Sequence, residues 1–402
     1  MNYNYYIDAV LSILPKSGGL TVERKNLFTI SVAILALLSF VGIVAGLYAL
    51  YAGHDHTFGT SRQVPWGILI AAYVFFVVTS TGLCIVSSLG HVFGFKDFAP
   101  IAKRAVFLSI VTIISGFLVI AFEIENTWRM PIANVIGFNL TSNIWWMGTL
   151  YGLYMVFMIV EFIMLQRDNH QLALACGLAG LLTGIAAHSN LGAVFGLIGG
   201  REFWHGPYMP VYFIASAAMS GCVAILFFTY LAYRFNGWTI DDKLKASLRT
   251  VAKLAALMIA VVLFFVTWKM IAGVTGEIPG EYELMVYLLY GPYAVNFWIG
   301  EIVLGLVLPF FLILIVRAES LRVIFIASIA GMIGIFFMRY DLVVVGQLAA
   351  PFADMGLVDY PEIYNYTPSC LEWLVTIGGF AFCGLFFLLG EKYFRGHMSE
   401  EH

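Results

Sequence analysis

The sequence predicts an all-α, polytopic membrane protein of about ten transmembrane helices, with both termini in the cytoplasm. Three observations carry that reading. Of 402 residues, 61% are hydrophobic and only 11% are charged, against about half and about a quarter in an ordinary soluble domain. Charge-free apolar runs recur along the whole chain, each long enough to cross a hydrocarbon core of about 30 Å as a helix of ~20 residues. Lys and Arg also fall unevenly. With the N-terminus inside, 16 of the 21 basic residues lie on the inner side, and only Arg62, Arg129, Arg201, Lys269 and Arg339 on the outer, as the positive-inside rule requires.

The elements follow in order. Residues 1–26 form a cytoplasmic N-terminus. Within it, 3–14 are too short to span and read as an interfacial helix. No basic n-region runs into a short apolar stretch there, so no cleaved signal peptide is expected. Spans are predicted at 27–51, 66–92, 104–124, 144–166, 172–198, 209–233, 250–272, 295–316, 322–346 and 371–390, and 391–402 form a cytoplasmic tail. The Arg167–Gln171 turn is so short that the fourth and fifth helices must be antiparallel neighbours.

An internal repeat organises these spans. The fourth and eighth helices begin alike, with Asn143-Ile-Trp145-Trp146-Met-Gly148 and Asn296-Phe-Trp298-Ile-Gly300. The fifth and ninth share Ala179-Gly180 to Gly184-Ile and Ala330-Gly331 to Gly334-Ile, again about 150 residues apart. Prolines Pro65 and Pro210 open the second and sixth. An even number of helices separates the copies, so they lie parallel. The chain divides into a first four-helix bundle (64–199), a second (209–347), and flanking helices at 27–51 and 371–390.

Chemistry is sought among ionisable groups at depth, because each is costly in hydrocarbon. At about 1.5 Å per residue, His188 falls in the outer half of helix 5, Glu123 near the outer end of helix 3, Glu161 in the inner half of helix 4, and His91 at the inner surface. His91 and His188 differ by roughly 20 Å in depth, which speaks against a haem held by two axial histidines. The five cysteines form no CxxC or CxxCH, which speaks against an iron–sulfur cluster, a zinc site or attached haem in this chain. In the second bundle Lys269, Glu301, Arg339 and Asp341 share the outer third, and structural ion pairs among them are expected.

On the outer side of the first bundle Glu123, Glu125, His188, Arg201, Glu202, Trp204 and His205 are expected to converge with Trp66 and Tyr73. A carboxylate with an imidazole can relay protons, and aromatic walls with an open lipid side suit a flat ring bearing an isoprenoid tail. The same residues also read as a helix–helix hydrogen bond (His188), a solvated helix end (Glu123, Glu125) and an aromatic belt with a snorkelling arginine. From the residues alone, quinone site, proton or ion transporter built from two parallel repeats, and structural anchor stay open.

Two stretches resemble a known family. Residues 64–94 (VPWGILIAAYVFFVVTSTGLCIVSSLGHVFG) and 188–221 (HSNLGAVFGLIGGREFWHGPYMPVYFIASAAMSG) look like the NrfD/PsrC family of polysulfide reductase-like membrane subunits. Arg339-Tyr-Asp-Leu-Val-Val-Val-Gly-Gln347 resembles the second-bundle signature of its longer, ten-helix branch, which includes alternative complex III, menaquinone reductase and DsrP-type subunits. The resemblance covers helices 2–9.

It implies a quinone-reactive subunit of a multi-subunit respiratory oxidoreductase in the inner (cytoplasmic) membrane. Such a subunit binds menaquinone or ubiquinone, carries no haem or iron–sulfur cluster, and is not catalytic alone. It would exchange electrons with a ferredoxin-like iron–sulfur subunit on the outer face, beside a molybdopterin or multihaem cytochrome subunit. Carried over, His188 with Glu123 exchanges protons with the quinone, Trp66 and Tyr73 line the pocket, and Arg201 and Trp204 shape its mouth. His91 and Glu161 would be the inner half of a proton path.

Overall fold

The computed structural model describes residues 21–350 and 361–394, with side chains from Leu27 onward. The segment 3–14 and the tail from 395 lie outside the described residues. Ten helices among those described are long and apolar enough to cross a membrane. They are α1 (Thr21–Ala52), α2 (Ile68–His91), α3 (Ala99–Glu123), α4 (Asn143–Gln166), α5 (His170–Gly196), α6 (Tyr208–Asn236), α7 (Asp242–Thr275), α8 (Asn296–Ile315), α9 (Leu321–Val345) and α10 (Cys370–Phe394). The chain is therefore an all-helical, multi-pass integral membrane protein, as its composition predicts.

Several helices start before the apolar run does. Apolar pattern marks only the hydrocarbon crossing, whereas a helix continues into polar turns until something caps it. For α7 the cap is Asp241, whose side chain accepts the Leu244 N–H at 2.9 Å; for α3 it is Pro100 in the first turn, where a missing N–H costs nothing. The short turn after α4 is closed by Asn169, which accepts the Leu172 N–H and sends α5 back along α4.

Besides the single helical turn His54–Thr57, two helices that do not cross lie where the apolar pattern predicts only loops: Arg129–Ile136 between α3 and α4, and Glu281–Tyr290 between α7 and α8. They occupy matching places in the two halves. α2, α3, α4 and α5 pack in a ring, and so do α6, α7, α8 and α9. The rings meet along α2 and α6, where a Cβ on Gly82 would lie 1.9 Å from the Ala217 carbonyl and one on Gly221 would strike Gly82 itself. Lipid supplies no hydrophobic drive between helices, so close backbone approach at small residues carries the association. α10 packs on α2 and α3, and α1 packs on α10 through Gly42 against Gly378, turning most of its apolar surface outward.

Two π-helical stretches interrupt the second ring, over Asn296–Val307 in α8 and Asp341–Val345 in α9. Pro309 has no N–H for the Gly305 carbonyl one turn back, and Gly305 lies against the Gly334 backbone. The wider winding accommodates both. The end of the molecule where odd-numbered helices finish is called here the Arg201 face; the opposite end is the Arg167 face.

Candidate functional site

At the Arg201 end of the first ring lies a cavity of about 730 Å³ between α3, α4 and the helix Arg129–Ile136. No residue of that short helix is buried, so it roofs the space without filling it. The walls are mostly apolar and aromatic, including Phe117, Trp128, Phe138 and Trp145. Polar groups gather at two places. The Asn134 amide and Thr149 hydroxyl pair at 2.9 Å near the roof, and the Tyr73 and Tyr151 side chains form part of the wall.

Tyr151 connects the cavity to the buried histidine. Its hydroxyl meets His188 Nδ1 at 3.0 Å, and both residues are fully buried. The other ring nitrogen, Nε2, has no hydrogen-bond partner among the described residues, and the imidazole rests against the Phe213 ring at 5.5 Å. His188 thus stands behind Tyr151 rather than on the cavity wall.

Beyond Tyr151 one face of α4 carries Tyr154, Met158 and Glu161, all buried. Tyr154 Oη donates to the Ser80 carbonyl at 3.0 Å and meets Ser80 Oγ at 2.9 Å; Ser80 Oγ donates to the Ser109 carbonyl. The column ends at Glu161, whose carboxylate lies against Gly177 with both oxygens unpartnered among the described residues. Ten residues of helix place Glu161 about 15 Å from Tyr151, towards the Arg167 face. His91 is the last residue of α2 at that same end.

The predicted convergence on the Arg201 face divides into separate arrangements. Glu123 lies off the cavity-lining face of α3, beside the Gly67 backbone N–H and the Glu372 carboxylate. Glu372 is fully buried and satisfied, accepting from the N–H groups of Gly59 and Ser369 at 2.8 Å and from the Tyr366 hydroxyl at 2.5 Å. His188 and Glu123 do not form one pair. Glu125 and His205 are exposed and join neither group.

Trp66, Trp204 and Arg201 form a third arrangement, a clamp between the rings. Trp66 stacks on Trp204 at 5.4 Å, and Trp204 Nε1 donates to the Leu342 carbonyl of α9 at 2.7 Å. Gln347 grips the Trp66 backbone, accepting its N–H and donating to its carbonyl. Arg201 donates to the carbonyls of Gln347, Ala349 and Gln63. Half-burial lowers the Arg201 guanidinium from its ordinary pKa, with Tyr364 acting in the opposite sense. A side chain so engaged ties the loop before α2 to the segment after α9 rather than reaching towards solvent.

The expected ion pairs of the second ring do not form. Lys269, Glu301 and Asp341 line a small space with Tyr208 and Tyr212, but among the described residues no ion pair joins any two of Lys269, Glu301, Arg339 and Asp341. Aromatic faces take the cations instead: Lys269 Nζ sits 3.5 Å from the Phe203 ring centre, and the Arg339 guanidinium lies over Tyr212 and Phe213. Such contacts substitute for a counter-ion in a desolvated setting. Here the roofing helix Glu281–Tyr290 does bury Leu284, Met285 and Leu288, unlike its counterpart over the first ring. His188 and Arg339 each lie eight residues beyond the matched glycines Gly180 and Gly331, and both contact Phe213.

Sequence reasoning missed Tyr151, Tyr154 and Glu372. The two tyrosines were legible in principle, since 151, 154, 158 and 161 share one helical face and lead to Glu161, itself conspicuous as a carboxylate at depth. Glu372 carried no such signal; its partners come from residues up to 313 positions away.

Known proteins match over nearly the whole chain. The integral membrane subunit of the Hdr-like menaquinol oxidoreductase of Archaeoglobus fulgidus is 30% identical over 394 residues, covering 93% of this chain and 96% of that one. A selenate reductase subunit of Mesobacillus selenatarsenatis is 24% identical, covering 88% and 90%. A protein described as a dimethyl sulfoxide reductase membrane subunit in Halobacterium salinarum is 26% identical, covering 90% and 89%. The family model described as "Polysulphide reductase, NrfD" matches residues 56–351, from the approach to α2 through the end of α9. With that match spanning both rings, the chain belongs to the NrfD polysulphide reductase family.

Proposed function

We propose that this chain is the quinone-reactive membrane subunit of a multi-subunit respiratory oxidoreductase in the cytoplasmic membrane. It would exchange electrons between membrane menaquinone or ubiquinone and an iron–sulfur subunit on the Arg201 face, facing outward. The observation that carries the reading is the Tyr151–His188 hydrogen bond behind the wall of a cavity of about 730 Å³. That volume lies within the range of small-molecule sites, which are largely apolar with a few placed polar groups. The relatives named for menaquinol oxidation and for selenate or sulfoxide reduction support it.

A bound quinone supplies two-electron, two-proton chemistry. The chain's part is to hold the ring and handle protons. The Tyr73 and Tyr151 hydroxyls orient a carbonyl oxygen, and the apolar walls exclude water. His188 exchanges a proton through Tyr151, since a hydroxyl can donate one hydrogen bond while accepting another. Glu123, off the cavity face, passes protons towards the Arg201 face. The polar column through Tyr154 and Ser80 to Glu161, with His91 at its end, would bring protons from the opposite face and couple turnover to their movement. Trp66, Trp204 and Arg201 hold the surface against which the iron–sulfur subunit docks.

The unpaired buried charges of the second ring favour a second reading, an ion transporter. The two separate cleanly. Purification of the native complex in mild detergent should yield redox subunits and extractable quinone, and His188→Ala should abolish quinone-linked turnover while the complex still assembles. A lone chain without quinone that moves ions in vesicles would replace the first reading with the second. Unchanged turnover in His188→Ala would remove the site assignment.

A further inference from the structure

A second cavity, of about 640 Å³, lies on the other side of α2 from the first. It is bounded by α1, α2, α3, α6, α9 and α10, and its lining is almost wholly hydrocarbon, with Phe75, Phe228, Phe336 and Phe387 among the largest side chains. Ile34 of α1 and Ile333 of α9, at its margin, are 52% and 45% exposed, so the space opens sideways towards lipid between those helices. The two threonines in its wall are already engaged: Thr79 donates to the Phe75 carbonyl and Thr112 to the Leu108 carbonyl of their own helices. Apart from the Ser31 hydroxyl at one end and the Cys383 thiol, the lining offers no other polar side chain to orient a quinone ring. The cavity suits a chain, not a head group.

Its direction is set by the helices that bound it. Ser31, Leu388 and Phe235 mark its end towards the Arg167 face. One turn further on lie Phe28 and Lys392, and Arg234 directly precedes Phe235 in α6. Lys392 is exposed, and its Nζ sits over the Phe28 and Tyr393 rings at 5.3 and 5.8 Å. The adjacent Glu391 offers it no charge, because both its oxygens are bound by Arg104 at 2.6 and 3.0 Å. Arg234 is also exposed. A hydrocarbon slot with an exposed lysine one helical turn beyond its surface end and an exposed arginine beside that end matches the layout of a phospholipid with a negative head group.

We infer that this cavity holds one hydrocarbon chain of an anionic phospholipid, whose phosphate lies against Lys392. Helices enclose the slot on most sides, so a chain seated here should outlast detergent exchange that removes surface lipid. The site is independent of the quinone reading, since it shares no lining residue with the first cavity.

The test is native mass spectrometry of the detergent-purified, delipidated protein with its subunits, titrated with phosphatidylglycerol or phosphatidylcholine. The expected result is one tightly retained phosphatidylglycerol per chain, with phosphatidylcholine weaker by about tenfold. Gly384→Phe fills the slot, where a Cβ meets only Leu35, and should abolish retention. Ile333→Trp narrows the opening and serves if Gly384→Phe fails to assemble. Lys392→Glu should erase the head-group preference while a lipid is still retained. Equal retention in the wild type and both filling variants would overturn the inference. So would retention of quinone in place of phospholipid, or a cross-link from Ile34→Cys to a helix of a co-purified subunit.

Discussion

Replacing Tyr151 by Phe removes one oxygen from the protein. That oxygen bonds His188 Nδ1 at 3.0 Å where both side chains are fully buried. Among the described residues no side chain bonds His188 Nε2, so the variant removes the one side-chain hydrogen bond of the imidazole. Stranding a buried polar group costs about 1–3 kcal/mol, and the midpoint of thermal unfolding of the complex should fall accordingly. The effect on turnover should be larger. A positioned proton-transfer group contributes about 10²–10⁴-fold, and Tyr151 is the only described side chain hydrogen-bonded to His188. The assay is steady-state reduction of an artificial acceptor by a short-chain quinol, using the intact complex. If Tyr151 works through His188, kcat falls by about 10²-fold or more. The double variant with His188→Gln should then be no worse than the worse single, because the two act as a unit. A rise in KM with kcat held would show Tyr151 to be only wall. Turnover within about twofold of wild type would refute the reasoning outright.

Three further outcomes follow from the same structure. Arg201→Ala should loosen the clamp and destabilise the complex by on the order of 3 kcal/mol, given charge-assisted bonds to three carbonyls; limited proteolysis of the 199–206 and 346–350 segments should accelerate, and no change in either would contradict the clamp. Arg104→Ala leaves the buried Glu391 carboxylate without its partner, a loss of about 3–5 kcal/mol, whereas Arg104→Met with Glu391→Leu should recover most of it in a thermal melt. His54, stacked on Phe58 at 4.4 Å, has its pKa lowered from 6.5 by burial, with Glu125 the largest opposing influence. The unfolded chain therefore takes up the proton first as pH falls, and this contribution to stability, present above about 6.5, declines below it. His54→Gln should flatten the dependence of the melting midpoint on pH in that window; an unchanged slope would exclude His54 as a source.

The sequence by itself determined the class and the number of spans. Hydropathy follows from which groups tolerate hydrocarbon, and that condition acts on each segment separately. The repeat was legible for the same reason, since Asn143–Gly148 and Asn296–Gly300 are local strings. It also pointed to His188, because a histidine in the middle of an apolar run is conspicuous wherever its neighbours lie.

Which groups meet was decided only by the tertiary structure. Helix positions along the membrane normal placed Glu123 and His188 at similar depth, but depth leaves rotation about each axis and lateral position free. The fold turned Glu123 off the cavity face of α3 and set Tyr151 before His188. The charges of the second ring were expected to pair because they share a depth, and aromatic faces took the cations instead. The two roofing helices show the same limit. Both are short connections in the sequence, yet Leu284, Met285 and Leu288 fill one ring while Arg129–Ile136 buries nothing and leaves the other hollow. Whether a space stays open depends on side chains drawn from several helices at once, and no single stretch of sequence carries that sum.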